Sequence, residues 1–322
     1  MTMRELAKLA NVSVSTVSKA FHDADDISAE TKKLVFDTAK QYGCYGKFYK
    51  GKFHKQIIAI ICPELGSSLY TVYVERLQRI IEAHDGIALI SADHFNSAAQ
   101  AELVDYYASY LQVDGIIVFH LNSPLKKGYE IPIVSLYGLC NTQIDTVQIN
   151  LEAPIFEAVA LLRSLGHEKI AFIGETLTHR RATFFLNAMG TDTDAPCVIE
   201  SGYRFERAGE DGARQLLERD PSCTAIVCAY DSIAFGAIRY LKRCGYNVPE
   251  DFSVIGCDNI SVAEHSETAL TTIDTNPDEV CMVAWDIIQK KQQSKFYRST
   301  QAITITGRLI VRETVGKRKP RQ

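Results

Sequence analysis

No stretch of the 322 residues is long and apolar enough to span a bilayer, and the opening MTMRELAKLA is amphipathic, without an apolar core leading to a small-residue cleavage site. A membrane or secreted protein is therefore not expected, and a cytoplasmic one is. The nine cysteines form no C-x-x-C pair, which argues against zinc or a redox couple and reads them as small buried hydrophobes in a reducing compartment. Also missing are Gly-x-Gly-x-x-Gly, a P-loop, the G-x-S-x-G elbow and any metal-ligand cluster, and the histidines are dispersed. No catalytic residue, metal or cofactor is assigned. The tail after Glu313 lacks leucine heptads, so no tetramerising coiled coil is expected.

Acidic residues are absent from Thr38 to Pro63, where Lys40, Lys47, Lys50, Lys52 and Lys55 all fall. Residues 1–55 hold ten Lys or Arg against six Asp or Glu, and the remainder 25 against 33, so the formal charge of −4 hides a polyanion-facing N-terminal end.

That end, with AKLANVSVSTVSKAFHD at its heart, reads as three short helices. Leu6, Ala7 and Ala10 lie at helical spacing, and Asn11 tolerates the positive φ of a tight turn. Ser13 can cap a helix from Val14 to about Phe21, and Ser28 a third from Ala29 to about Gln41. Helix, turn and capped second helix form the geometry of a helix-turn-helix, whose second helix enters the major groove. Val12 and Val17 fill the space between the helices, while Ser15, Thr16, Ser18 and Lys19 project outward, short enough to bring backbone close to DNA. Residues 43–55, GCYGKFYKGKFHK, have the glycine content of a linker with an unusual load of aromatics and lysines.

From Gln56 onward, Val/Ile-rich runs alternate with amphipathic stretches. The runs are 57–62, 87–91, 115–119, 131–136, 147–149, 169–174, 197–201, 225–229 and 253–258. Such runs between helices signal parallel strands buried on both faces, and so two doubly wound α/β subdomains. The expected organisation is a headpiece at 1–42, a linker at 43–55 and a core at 56–322. Within the core, subdomain 1 takes about 56–146 and 275–302, and subdomain 2 about 147–274 with part of the C-terminal strands.

Several motifs carry a family resemblance. Ala7-x-x-Ala10-x-Val12-Ser13-x-x-Thr16-Val17-Ser18, then Ile27-Ser28-x-x-Thr31, resembles the headpiece signature of LacI/GalR transcription regulators. Leu165 to Gly174, Asp231-Ser232-x-Ala234-x-Gly236-Ala237, Val248 to Asp258, Leu270 to Ile273 and Val311 to Thr314 are similar to that family in the same order. The resemblance implies a periplasmic-binding-protein-like core. It also implies a homodimer on a pseudopalindromic duplex operator, with a small effector, by family frequency a sugar, held in the core. An effector acts there only by binding one pose better than another.

By the same resemblance, Val14 and Ser15 stand where base edges are read, Lys19 where arginine is usual and His22 where asparagine is usual. Ser13, Thr16 and Ser18, with Lys47 and Lys50 of the linker, complete the expected DNA contacts. Effector contacts carried over are Arg181, Tyr203 as a stacking aromatic, Asp258 at a strand end, and Leu69 and Tyr70 after the first core strand. Tyr230 and Tyr137 replace an asparagine and an aspartate, so a nucleoside or other non-sugar ligand, or loss of effector control, stays open. Asp231 reads as a cap for the helix that follows. The family's leucine-bearing hinge helix has no counterpart in Cys44 to Phe53: either the lysines run along phosphates and Phe48 or Phe53 wedges into DNA, or the segment is a flexible tether whose aromatics pack on the core.

Overall fold

The computed structural model describes residues 1–22, 24–48, 55–121, 125, 128–138, 144–190, 197–294 and 299–319. The first three helices are α1 (Met3–Leu9), α2 (Val14–Phe21) and α3 (Ala29–Gln41). Their starts are set by side-chain oxygens that satisfy otherwise orphaned backbone donors. Thr2 and Glu5 form a capping box, Ser13 accepts from the Thr16 amide at 3.0 Å, and Ser28 accepts from the Thr31 amide at 3.1 Å. Asn11 has φ 52° in the turn. Leu6, Ala7, Ala10, Val17, Ala20, Phe21, Val35 and Ala39 form a small closed core of their own.

A helical turn, α4 (Tyr45–Phe48), follows, although Gly46 weakens helix propensity there. Aromatic packing overrides that preference: the Phe21 ring centroid lies 5.2 Å from Phe36, 5.9 Å from Tyr45 and 5.5 Å from Phe48. The linker therefore begins later than residue 43, because its first aromatics belong to the headpiece.

Beyond it the chain carries two six-stranded sheets. The first is built from β1 (Ile57–Cys62), β2 (Ile87–Ala92), β3 (Gly115–Phe119), β4 (Ile133–Leu136), β5 (Asp145–Asn150) and β11 (Ala302–Thr306), in the order β11-β5-β4-β3-β1-β2. The second contains β6 (Ile170–Glu175), β7 (Cys197–Ser201), β8 (Ala225–Cys228), β9 (Ser253–Cys257), β10 (Thr271–Asp274) and β12 (Arg308–Ile310), in the order β12-β10-β9-β8-β6-β7. In each, the first strand of the set lies between the second and the third, a topological switch point outside which open α/β sheets bind ligands. The connecting helices are α5 (Ser68–Ala83), α6 (Ser97–Asp105), α7 (Glu152–Ser164), α8 (His179–Met189), α9 (Phe205–Arg219), α10 (Asp231–Arg243), α11 (Ser261–His265) and α12 (Pro277–Gln293). A π-helical stretch, Tyr106–Leu111, prolongs α6.

The chain divides into two compact units. One comprises Met1–Gly66, Val74–Thr146 and Met282–Gln301; the other comprises Ser67–Tyr73, Val147–Cys281 and Ala302–Gln322. Residues 67–73 and 275–281 thus group with the second unit, whereas the sequence reading places them in the first subdomain. In the second unit α9 and α10 approach backbone to backbone, and a Cβ on Gly236 would overlap the Glu206 carbonyl. The glycine of the Asp231 to Ala237 motif is explained by that contact.

His167 ties the C-terminal segment to this unit. It is buried, with Nδ1 2.9 Å from Thr224 Oγ1 and Nε2 3.0 Å from both the Gly316 carbonyl and Ser253 Oγ. Donation from Nε2 to the carbonyl leaves Nδ1 to accept from threonine, so the neutral ring satisfies every contact. Burial holds the imidazole below its ordinary pKa, with Arg318 adding to the effect. A depressed histidine gives stability that is complete above the unfolded pKa of about 6.5 and is lost as pH falls toward the folded value. Asp231, whose carboxyl is pushed up to about 8, contributes the opposite slope over this range, so the comparison is with a variant. His167→Gln is expected to lower stability at pH 7.5 by about 2 kcal/mol and to remove the part of the decline between pH 7 and pH 5 that His167 causes. Parallel melting-temperature profiles for the two proteins would contradict this account.

Candidate DNA-binding face and effector site

On α2 the first residues are the accessible ones. Val14 is 43% exposed, and Ser13 and Ser15 are exposed, while Val17 and Ala20 turn inward. Helix packing therefore does not occupy Val14. Ser13 Oγ lies 2.7 Å from both Ser15 Oγ and Thr16 Oγ1, so capping the helix also organises the hydroxyls at its tip. Ser18 and Thr16 are half-buried. His22 Nδ1 is 2.8 Å from the Ser18 carbonyl, a geometry that makes Nδ1 the protonated nitrogen and leaves Nε2 outward.

Lys19 is exposed but already pairs with Asp26, whose carboxyl it holds below the usual range. It reaches DNA only by exchanging that partner for phosphate. Lys47 Nζ donates to the Met1 carbonyl at 3.1 Å, which fixes it beside α1. Lys50 and Phe53 lie outside the described residues. Phe48 is packed against Phe21 and is not available as a wedge in this conformation.

In the second unit, the carboxyl ends of β6, β8 and β9 bring Arg181, Tyr230 and Asp258 to one end of the sheet. Arg181, in the first turn of α8, donates from Nη2 to Asp258 Oδ1 at 3.0 Å and from Nη1 to the Ala229 carbonyl. Both ion-pair partners are sequestered, the side chains being 14% and 6% exposed. Burial pushes the Asp258 carboxyl up, and the guanidinium opposes that shift.

Asp231 does not cap α10. Its Oδ1 accepts from Thr272 Oγ1 at 2.5 Å and its Oδ2 from the Ile260 amide at 2.9 Å, so it clamps the loop after β9 instead. Burial, then the charge of Asp258, pushes its carboxyl up to about 8, so it is largely protonated at neutral pH. The clamped loop is strained: Asp258 and Asn259 have φ 101° and 49°. Arg312 steadies it from the other side, donating to Asn259 Oδ1 at 2.9 Å.

Tyr230 accepts from the Phe205 amide at 3.2 Å, and burial, then the Glu175 charge, raises its phenol. Tyr203 is exposed, with the Arg207 guanidinium 3.8 Å from its ring centroid, so one face of this aromatic is already covered. Tyr70 is buried and Leu69 half-buried in the first turn of α5. Tyr137, in the first unit, has φ 59° and stacks on Phe119 at 6.4 Å with His120 beside it at 5.4 Å.

Sequence reading missed Glu175. This carboxylate ends the apolar run of β6, 3% exposed, with Oε1 3.2 Å from Arg204 Nε. The signal was an acid directly after Gly174, where the resembling family continues with a second glycine.

Comparison with known proteins agrees with both regions. Residues 2–44 match the family of bacterial regulatory proteins of the lacI type, and residues 159–315 match the periplasmic binding protein-like domain. The HTH-type transcriptional repressor CytR of Escherichia coli is 28% identical over 289 residues, 84% of each chain. Among solved structures, the lac repressor dimer bound to operator and the anti-inducer ONPF has a TM-score of 0.73 at 21% identity, covering 98% of this chain and 99% of that one. The transcriptional regulator CelR in complex with cellobiose has a TM-score of 0.69 at 22% identity with the same coverage. No described helix is long and apolar enough to cross a membrane. With a capped helix-turn-helix at one end, two switch-point sheets after it and repressors as relatives along most of its length, the chain belongs to the lacI family of DNA-binding bacterial transcription regulators.

Proposed function

We propose that the protein is a cytoplasmic, homodimeric repressor of carbohydrate-utilisation genes, whose affinity for a pseudopalindromic operator is set by a small effector, most simply a sugar. The observation that carries the DNA half is the accessible tip of α2. Val14 offers a methyl surface suited to thymine, and Ser15 donates or accepts, while the buried side of the helix is committed to the headpiece core. Ser13, Thr16, Ser18, Lys19 and His22 of the same helix and Lys47 beside α1 are the further proposed DNA contacts, and Lys50 belongs to the same proposal on charge alone. Arg181, Asp258, Tyr230 and Tyr203 line the ligand end of the second sheet, and Leu69, Tyr70 and Tyr137 complete the proposed effector contacts. The phenol of Tyr230, where a sugar-binding amide is usual, favours a nucleoside as the second reading.

Dimerisation has a physical basis in the first unit. Edge strand β2 leaves Ile90 exposed, and beside it a surface groove of about 670 Å³ is lined by Ala92, Leu103, Tyr106 and Tyr110. Tyr106 and Tyr110 stack at 5.3 Å, and Tyr110 is 67% exposed, an aromatic surface that a monomer has little reason to keep.

Two measurements test these proposals. Replacing Val14 and Ser15 together by larger polar residues is expected to change the sites enriched from random duplex DNA while melting temperature stays within about 2 °C, as for surface substitutions; an unchanged site preference would remove these residues from base readout. The double variant Tyr106→Asp, Tyr110→Asp is expected to sediment as a monomer and to bind the enriched site at least about tenfold more weakly. A variant that stays dimeric would move the interface elsewhere.

A further inference from the structure

The buried carboxylate that closes β6 has no place in the contacts described so far. Glu175 Oε1 is held by Arg204, but Oε2 is buried and without a hydrogen-bond partner. A carboxyl oxygen left in that state is costly, and natural interiors keep such groups chiefly where something else completes them. Its position narrows what that is. Glu175 ends β6 and Tyr230 follows β8, the two strands that flank the switch point of the second sheet, outside which a ligand binds.

The neighbouring arginines are already engaged, and the Tyr230 phenol, which accepts from the Phe205 amide, lies beside the Glu175 carboxyl. Arg181 gives one arm of its fork to Asp258 and the other to the Ala229 carbonyl, and Arg204 gives Nε to Glu175. Two buried or half-buried arginines are thus matched by two carboxylates, and Asp231, largely protonated, adds no charge of either sign. Among the described residues, the inner part of this end of the sheet offers acceptors and no surplus cation. Its rim differs, since the exposed Arg180 and Arg207 lie over Phe184 and Tyr203. An anionic ligand would find the rim favourable and the floor unfavourable.

We infer that Glu175 determines effector specificity: its unpartnered Oε2 accepts a hydrogen bond from an O–H or N–H of the effector, which selects an uncharged, donor-rich molecule over its phosphate ester. The inference rests on the proposed effector-controlled regulator and names the class of ligand for it. Arg204, whose side chain is 38% exposed, is the group that shifts to admit the ligand donor. Arg204→Gln leaves the carboxylate in place and removes its cover.

The test uses the full-length protein and calorimetric titration with three uncharged probes, ribose, cellobiose and adenosine, and with ribose 5-phosphate and adenosine 5′-phosphate. At least one uncharged probe is expected to bind, with the phosphate esters at least about tenfold weaker. Glu175→Gln, which keeps the shape but presents an amide, is expected to weaken the uncharged probe by about tenfold or more, and Arg204→Gln to bind it at least as well as the unaltered protein. Equal affinity in Glu175→Gln, or tighter binding of a phosphate ester, overturns the assignment of Glu175. Should a phosphate ester bind and also change operator affinity, the effector-controlled reading stands and only the ligand class falls. Binding of none of the five overturns the ligand class, and operator affinity indifferent to all of them counts against effector control as well. If Glu175→Gln does not fold, the phosphate comparison and Arg204→Gln still decide.

Discussion

A guanidinium cannot be taken out of water alone. Arg181 is sequestered at the ligand end of the second sheet, and the cost of that burial is met by Asp258 and the Ala229 carbonyl. Much of the local structure follows from this one requirement. Asp258 must sit where a strand end turns sharply, which places it and Asn259 in left-handed backbone, a region that Asp and Asn tolerate better than other side chains. Two clamps hold the turn: Asp231 through the Ile260 amide, and Arg312 through Asn259. The Asp258 charge in turn helps keep Asp231 protonated, so two adjacent acids do not both ionise in one small volume. The C-terminal segment thereby reaches that turn from a sheet it joins both through edge strand β12 and through Thr314 and Gly316.

The headpiece solves a different problem, that of making a core from fewer than fifty residues. Alanines at Ala7, Ala10, Ala20 and Ala39 let three helices approach closely, and an aromatic cluster supplies the volume those alanines give up. Nothing apolar is left for the outer face of α2 except Val14. The residues that a DNA groove can read are those the core has no use for.

How much of this was legible in the sequence depended on where the deciding interaction was local. The three headpiece helices begin and end where Thr2, Ser13, Ser28 and the apolar spacing place them, because capping is settled within four residues. The parallel strands were legible as continuous apolar runs. By contrast β10 (TTID) has no such run. Its threonines are buried because Thr271 and Thr272 hydrogen-bond to Arg312 and Asp231, partners forty residues away. α4 was hidden for the same reason, since Gly46 speaks against a helix locally and only Phe21 and Phe36 speak for it. Glu175 escaped because an acid at the end of an apolar strand reads as the first residue of a loop. The motif-level resemblance located Arg181 and Asp258 without revealing that they spend their charges on each other.

That aromatic packing also bears on how an effector signal reaches DNA. Phe48 and Tyr45 hold the start of the linker against the headpiece, and each aromatic pair of this kind is worth about 0.5–1.5 kcal/mol beyond its buried area. Any linker conformation that inserts Phe48 into a minor groove must first break its contact with Phe21, so the gain on DNA has to exceed about 0.5–1.5 kcal/mol beyond the area uncovered. The headpiece, which groups with the first sheet in one compact unit, adjoins it where Tyr45, Gly46 and Lys47 line a cavity with Leu111, Asp114 and Pro132. The brace makes the headpiece a more self-contained unit. The coupling free energy between effector and operator is then set by how differently the two poses of the core hold that braced unit.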